Sequence, residues 1–208
     1  MQILIADDHA VVRRGLIDIL SETLPRAQFT EVGSGDEVTA RLAKSQFELL
    51  VLDINMPGRS GLDVLKDIKV RYPRLPVIIL SCQPEEQYAV RCLRGGAAAY
   101  INKDSAADEL AQAVKKILRG ERYLSQGVTE SLLASLDGSK RPLHETLSNR
   151  EFEVMRMLVS GRSLTEIGDL LHVSIKTVST YRARILDKMQ MTSNAELTRY
   201  AVKQAIIE

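Results

Sequence analysis

Short apolar runs alternate with helical patterns over the first 120 residues of the chain. The runs end in polar or turn-forming residues, and they predict β-strands near residues 2–6, 29–32, 48–52, 77–80 and 98–101. After each run, apolar residues recur at a spacing of three and four, which predicts an amphipathic helix. Strand and helix therefore alternate five times, and this order predicts a parallel sheet with helices on both faces.

The run at residues 49–52 is apolar at every position and ends at Asp53. Such a run predicts a central strand that is buried on both faces. Ligands bind at the carboxyl ends of the strands in open α/β sheets, so Asp53 is a candidate functional residue. Aspartate is also common in loops, and this residue alone does not decide between a functional role and a capping role.

The second part of the chain has a different pattern. Residues 128–136 predict a short helix, and residues 137–142 combine turn formers with charge, which is typical of a linker. From residue 147 to residue 206 the apolar spacing predicts four helices with short connections. A short helix, a turn at 172–174 and a longer helix at 175–189 form a helix-turn-helix arrangement. We therefore predict domains at residues 1–121 and 147–208, joined by a linker at residues 122–146.

Composition narrows the class of protein. The chain has 208 residues and a formal net charge of +1, so a nucleic-acid partner has to be sought in local clusters of basic residues. Two cysteines, Cys82 and Cys92, do not form a disulfide framework and are typical of a reducing compartment. We find no signal-peptide pattern and no apolar stretch of the roughly 20 residues that span a bilayer. We expect a cytoplasmic protein with no membrane contact.

Polar residues follow four of the predicted strands, and the topology brings them to one edge of the sheet. These residues are Asp7, Asp8, Asp53, Ser81 and Lys103. Clustered carboxylates favour a hard divalent cation such as Mg²⁺, and a carboxylate can also attack phosphorus to form an aspartyl-phosphate. The lysine and the serine hydroxyl would then bind phosphoryl oxygens. The alternative for each residue alone is a helix cap, a loop hydroxyl or a solvated lysine. His9 stands beside the acidic pair and suggests a transition-metal site as another alternative. A lone histidine does not favour that alternative, because such sites need several nitrogen or sulfur ligands.

The predicted helix at 175–189 concentrates positive charge, because four cations stand beside the single acid Asp187. The cations are Lys176, Arg182, Arg184 and Lys188, and hydroxyl side chains lie among them at Thr177, Ser179 and Thr180. Cations and hydroxyls on an exposed helix favour phosphate contacts in a DNA major groove. The alternative is a basic helix that faces only solvent.

Residues 1–121 resemble the receiver domain of bacterial two-component response regulators. The segments that carry the resemblance are IADDH, VLDINMPG, VIILS and YINK. The resemblance implies an α/β receiver fold, with a five-stranded parallel sheet in the flavodoxin-like order 2-1-3-4-5. It implies that Asp53 is the phosphoacceptor, that Ser81 and Tyr100 are switch residues, and that Lys103 contacts the phosphoryl group. Magnesium ligands would be Asp7, Asp8, Asp53 and the backbone carbonyl of Asn55.

Residues 147–189 resemble the LuxR-type helix-turn-helix, and the two parts together resemble the NarL/FixJ class of response regulators. The resemblance implies base-facing residues at Ser179, Thr180 and Ala183, and phosphate contacts at Lys176, Thr177, Arg182, Arg184 and Lys188. Many members carry lysine where this chain has Ser179 and Ala183, and alanine is usual where it has Gly168. The fourth helix, with Leu197, Tyr200, Ala201 and Ala205, resembles a dimer-forming element, and packing within one monomer is its alternative.

The resemblance implies a transcriptional regulator that is not an enzyme. A sensor histidine kinase would phosphorylate Asp53, and the active form would bind double-stranded DNA as a homodimer. Two alternatives remain at this point: a receiver-fold regulator that acts without phosphorylation, and a Mg²⁺-dependent phosphohydrolase that uses Asp53 as its nucleophile.

Overall fold

A computed structural model describes residues 1–56, 59–136, 142–204 and 206–207. The chain divides into two compact units, Met1–Asp137 and Gly138–Glu208, which are described separately. Among the described residues, no helix is both long enough and apolar enough to cross a membrane.

The first unit is built around a parallel sheet. Its described strands are β1 (Gln2–Ala6), β2 (Gln28–Val32), β3 (Leu49–Asp53), β4 (Val77–Ser81) and β5 (Ala99–Asn102). They lie in the order β2-β1-β3-β4-β5, which confirms the predicted topology. All residues of β3 and β4 are buried, because helices cover both faces of the sheet where these strands run.

Helices follow the strands as the apolar spacing predicts. In the described part of this unit they are α1 (Ala10–Thr23), α2 (Gly35–Leu42), α3 (Gly61–Arg71), α4 (Glu85–Arg94), α5 (Ala106–Leu118) and α6 (Gln126–Leu136). A short 3-10 helix, Lys103–Ser105, connects β5 to α5. On one face of the sheet, Leu16 and Leu20 of α1 and Leu110 and Val114 of α5 pack with residues of the strands.

The segment after α5 packs onto the first unit. Tyr123 is buried in the core cluster, and its backbone N–H donates to the carbonyl of Ala98. The Ser125 hydroxyl donates to a carboxylate oxygen of Glu85, at the start of α4, over 2.5 Å. The same hydroxyl accepts the backbone N–H of Val128, whose side chain is buried. Ser125 thus caps the start of α6 and also bonds to a side chain of α4, which holds the two helices together.

The second unit is helical in its described part. It contains α7 (Asn149–Val159), α8 (Leu164–Leu171), α9 (Ile175–Lys188) and α10 (Asn194–Lys203), preceded by a short 3-10 helix at Leu143–Thr146. Ser148 with Glu151, and Ser163 with Glu166, form capping boxes at the starts of α7 and α8. Helix α7 packs against each of the other three helices. Phe152 and Met155 of α7 and Val178 of α9 are buried in this core.

Helix α10 decides between the two alternatives for its apolar residues. Leu197 and Ala201 are fully buried within the unit, where α10 packs on α7. The Tyr200 hydroxyl accepts the backbone N–H of His144 and lies 2.9 Å from its ring nitrogen Nδ1. Leu197 and Ala201 therefore pack within the monomer, and Tyr200 forms a hydrogen bond within it. Ala205, the fourth predicted member, lies outside the described residues.

The connection between α8 and α9 is tight. His172 adopts a left-handed conformation at the end of α8, which turns the chain sharply. A Cβ atom at Gly168 would lie 2.9 Å from the carbonyl oxygen of Val173. Glycine at this position lets the turn approach α8 closely, which explains the departure from alanine despite a helix-propensity cost of about 1 kcal/mol.

Candidate functional site

Three residues that are far apart in the sequence meet at the carboxyl edge of the sheet. The ammonium nitrogen of Lys103 lies 2.7 Å from Oδ2 of Asp53 and 2.6 Å from Oδ2 of Asp7. Both aspartates are almost completely buried. The convergence of a lysine with two buried carboxylates is the geometry that the parallel topology predicts at this edge.

Burial and pairing determine the electrostatics of this cluster. Burial lowers the pKa of Lys103, but hydrogen bonds to Asp53 and Asp7 outweigh it and hold the pKa above the ordinary value. Burial raises the pKa of Asp53 above its ordinary value, against the opposing effect of Lys103. Burial and the pairing with Lys103 thus oppose each other at Asp53, a carboxylate that can in principle act as a nucleophile.

Two further residues that the sequence analysis missed hold these carboxylates in place. Arg13 donates from Nη1 to the backbone carbonyl of Asp7 over 2.7 Å. A Cβ atom at Gly61 would lie 2.2 Å from the carbonyl oxygen of Asp53, so only glycine allows α3 to start this close to the end of β3. The glycine at the start of a helix was visible in the sequence, but the approach of the strand was not.

The remaining acidic residue lies toward solvent. The side chain of Asp8 is about one-third exposed, and its Oδ1 is 2.8 Å from Nδ1 of His9. Asp7 accepts the backbone N–H of His9. One ligand atom from each of Asp7, Asp8 and His9 lies within 4.8 Å of the others. The backbone N–H of Asn55 donates to Oδ1 of Asp53, which places Asn55 beside the same cluster.

The predicted switch residues form a second small network. Ser81, at the end of β4, is fully buried, and its hydroxyl accepts the backbone N–H of Gln83. The Tyr100 ring is also buried, and its hydroxyl donates to the carbonyl of Gln83 over 2.7 Å. Burial raises the pKa of Tyr100 well above its ordinary value, so its hydroxyl remains a donor. Gln83 thereby connects Ser81 to Tyr100, and it lies two residues before the start of α4.

Helix α9 presents most of its predicted contact residues to solvent. The exposed members are Lys176, Ser179, Thr180, Ala183, Arg184 and Lys188, and the half-buried members are Thr177 and Arg182. The buried side of the helix carries Val178, Ile185 and Leu186. A shallow cleft on the exposed side is lined by Ser174, Lys176, Thr177, Thr180, Tyr181 and Arg184. Tyr181, a hydroxyl side chain of this helix outside the predicted set of DNA contacts, also belongs to this surface.

Two of the four cations of α9 are engaged inside the unit. The ammonium nitrogen of Lys188 lies 2.6 Å from Oε2 of Glu151, a buried residue of α7. Nε of Arg182 donates to Oδ1 of Asn194, the first residue of α10, over 2.7 Å. Spacing along the helix does not reveal these contacts, because both partners lie on other helices.

Both halves of the chain match known protein families. Residues 3–115 match the response regulator receiver domain, and residues 145–201 match the bacterial regulatory proteins of the luxR family. The chain belongs to the response regulator family. It combines a receiver domain with a LuxR-type DNA-binding domain, as in the NarL/FixJ class, and it is a transcription regulator.

Two relatives match over the whole of this chain. Oxygen regulatory protein NreC of Staphylococcus haemolyticus is 32% identical over 216 residues, with 100% of both chains covered. Response regulator GacA of Pseudomonas protegens is 30% identical over 209 residues, covering 100% of this chain and 98% of GacA.

Solved response regulators have a similar structure. RcsB of Salmonella enterica serovar Typhimurium, bound to promoter rprA in the presence of the phosphomimetic BeF3-, matches with a TM-score of 0.59 at 26% identity. The match covers 96% of this chain and 97% of RcsB. Another RcsB–DNA complex matches with a TM-score of 0.60 at 26% identity, over 97% of this chain and 98% of that one.

Proposed function

We propose that this response regulator is switched by transfer of a phosphoryl group from a sensor histidine kinase to Asp53. The observation that carries the proposal is the meeting of Asp7, Asp53 and Lys103 at one edge of the sheet. A carboxylate oxygen of Asp53 attacks phosphorus, and the bond between phosphorus and the kinase's histidine breaks. Lys103 then stabilises the charge of the phosphoryl oxygens, which it is placed to do because it already contacts Asp53.

The donor atoms of this site fit Mg²⁺. Carboxylate oxygens of Asp7, Asp8 and Asp53 and the backbone carbonyl of Asn55 form an oxygen-only set, which a hard cation prefers. When bound, the ion neutralises charge between the carboxylates and the phosphoryl oxygens. His9 contributes the one imidazole of the described acidic cluster, and one nitrogen ligand does not favour a transition metal over Mg²⁺.

The output of the switch is DNA binding by the second domain. Phosphorylation adds charge that Ser81 and Tyr100 respond to, and their shared contact with Gln83 connects them to the start of α4. We assign DNA contacts to α9, with Ser179, Thr180 and Ala183 toward the bases and the cations toward phosphates. RcsB was solved on promoter DNA with a phosphomimetic present, which supports the same coupling here. The active form binds as a homodimer, and the protein acts in the cytoplasm, where its DNA is.

We propose that the receiver comprises residues 1–121 and the DNA-binding domain residues 147–208. The intervening segment connects them, although its first half packs on the receiver through Tyr123 and Ser125.

Intact-mass measurement after incubation with Mg²⁺ and acetyl phosphate tests the phosphorylation step. We expect one phosphoryl adduct on the wild-type protein. No adduct is expected on an Asp53→Asn variant, because the amide is not a nucleophile, or on the wild type without Mg²⁺.

A folded wild-type protein that acquires no adduct would contradict the proposed chemistry and favour a regulator that acts unphosphorylated. Release of many equivalents of inorganic phosphate from small phosphate esters would instead favour the phosphohydrolase alternative. The Asp53→Asn variant separates that activity from a contaminating phosphatase.

A further inference from the structure

The four cations of α9 differ in what they contact, and we infer that Lys176 and Arg184 carry its contacts with DNA phosphates. Arg182 and Lys188 are positioning residues that hold the helix in place. This inference rests on the DNA-binding function proposed above. It divides a set of residues that sequence position alone treats as equivalent.

Lys188 is committed to a buried partner. Oε2 of Glu151 accepts both the ammonium of Lys188 and the backbone N–H of Ser148, over 2.6 and 2.7 Å. Glu151 is only 3% exposed. If Lys188 turned to a DNA phosphate, it would leave a buried carboxylate without its counter-charge, which is strongly unfavourable. Lys188 therefore fastens the end of α9 to the start of α7.

Arg182 lies on the inward side of the helix. It is four residues from Val178 and four from Leu186, which are both buried, so it shares their face. Its hydrogen bond to Asn194 connects α9 to the first residue of α10. The half-buried guanidinium thus serves the packing of the domain.

Lys176 and Arg184 have the opposite surroundings. Both are exposed, and among the described residues neither side chain has a hydrogen-bond or ion-pair partner. They stand eight residues apart with Thr180 between them, on one helical face, and line the same cleft with Tyr181. Eight residues span about 12 Å along the helix axis.

The occupant that this cleft fits is the backbone of duplex DNA. Two unpaired cations on one exposed face are complementary to a polyanion. Phosphates of one strand rise about 3.4 Å per step, so a span of about 12 Å lets the two cations reach different phosphates. Their contributions to binding are therefore additive.

Salt dependence of binding tests this division, because each neutralised phosphate contributes about 0.9 to the slope of log K against log salt concentration. We use the full chain after treatment with Mg²⁺ and acetyl phosphate, and a duplex of random sequence as the probe. Lys176→Ala and Arg184→Ala each lower the magnitude of the slope by about 0.9, and the double variant lowers it by about 1.8. Lys176→Gln, which removes the charge but keeps a long polar side chain, gives the same change in slope and so excludes an effect of the alanine substitution on the helix.

Matched controls remove a cation elsewhere. Arg26→Ala removes an exposed charge of the receiver and leaves the slope unchanged. The double variant Glu151→Gln, Lys188→Met removes the charge of Lys188 together with that of its partner, so no buried carboxylate is left unpaired. It also leaves the slope unchanged. Arg182→Gln lowers the melting temperature and preserves the slope. Circular dichroism establishes that each variant is folded.

A slope that falls by about 0.9 in the Glu151→Gln, Lys188→Met variant, or stays unchanged in Lys176→Ala and Arg184→Ala, overturns the inference. A wild-type protein with no salt-dependent duplex binding, whether phosphorylated or not, refutes the DNA-binding function itself. The two failures are distinct, because the first requires wild-type binding and the second its absence.

Discussion

Lysine side chains neutralise buried carboxylates at two places in the described chain. In the receiver, Lys103 contacts Asp7 and Asp53, and in the DNA-binding domain Lys188 contacts Glu151. The two clusters differ in purpose. The first lies at the sheet edge with the proposed phosphoacceptor Asp53, whereas in the second Glu151 also closes a capping box with Ser148.

The Glu151 cluster makes the stability of the second domain depend on pH. Burial alone would raise the pKa of Glu151, but Lys188 and the donors of Ser148 outweigh it, so the pKa lies below its ordinary value. Because the folded pKa is lowered, the stabilisation is present above about pH 4.3 and is lost as the pH falls through the folded value.

Thermal melts of the wild type and of the Glu151→Gln, Lys188→Met variant, followed by circular dichroism at several pH values, measure this effect. We expect the melting temperature of the wild type to fall more steeply below about pH 4.3 than that of the variant. Other carboxylates titrate equally in both proteins, so the difference isolates Glu151. A difference that does not change with pH would show that the pair does not stabilise the fold in this way.

At the scale of elements, the proposed phosphorylation site depends on how closely α3 approaches β3. Gly61 begins α3 against the backbone of Asp53, where a Cβ atom would lie within 2.2 Å of a carbonyl oxygen. Backbone atoms at this contact cannot move aside without moving Asp53, the proposed phosphoacceptor. Helix position and site geometry are therefore coupled through one glycine.

Gly61→Ala is expected to lower the free energy of unfolding by about 1–3 kcal/mol through overpacking, and to reduce the yield of phosphorylated protein. Urea denaturation and intact mass after acetyl phosphate treatment measure the two effects. Gly15→Ala is the matched control, since apart from the backbone of α1 around it no atom lies within 4 Å of its Cβ position. That change should stabilise by about 1 kcal/mol through helix propensity. Equal effects of the two substitutions would rule out the steric explanation.

Helix α6 shows the same dependence on a neighbouring element. Its start is fixed by Ser125, whose hydroxyl bonds both to Glu85 and to the backbone of α6. Glu85 lies two residues after Gln83, the residue that contacts both Ser81 and Tyr100. Helix α6 therefore begins next to the loop around Gln83, which Ser81 and Tyr100 both contact.

At the scale of the whole molecule, the proposed function requires that phosphorylation of the receiver change the assembly of the chain. Sedimentation velocity measures this directly. With Mg²⁺ and acetyl phosphate, we expect the wild type to shift from monomer to dimer, and the Asp53→Asn variant to remain a monomer under the same conditions. The shift follows from the population change that a new charge at Asp53 imposes on the receiver. A wild type whose sedimentation is unchanged despite a measured adduct would contradict dimerisation as the output.

Leu197 and Ala201 limit where a dimer surface can lie. Both are buried in the monomer, so a dimer formed through α10 would use its exposed side, where Val202 is about half exposed. The sequence pattern left monomer packing and dimerisation open, because an apolar stripe on a helix is satisfied by either partner.

The sequence by itself determined the order of strands and helices and the convergence of Asp7, Asp53 and Lys103. Both follow from local periodicity and from the rule that parallel strands end at one edge. The helix-turn-helix was also predicted, since apolar spacing and the turn between two helices are local signals.

Only the tertiary structure decided which polar residues pair across elements. Lys188 meets Glu151 across 37 positions, and Ser125 meets Glu85 across 40. Such contacts depend on the angles at which helices pack, and these angles come from the shapes of many side chains together. For the same reason, the sequence could place four cations on α9 but could not show that two of them, Arg182 and Lys188, bond to residues of other helices.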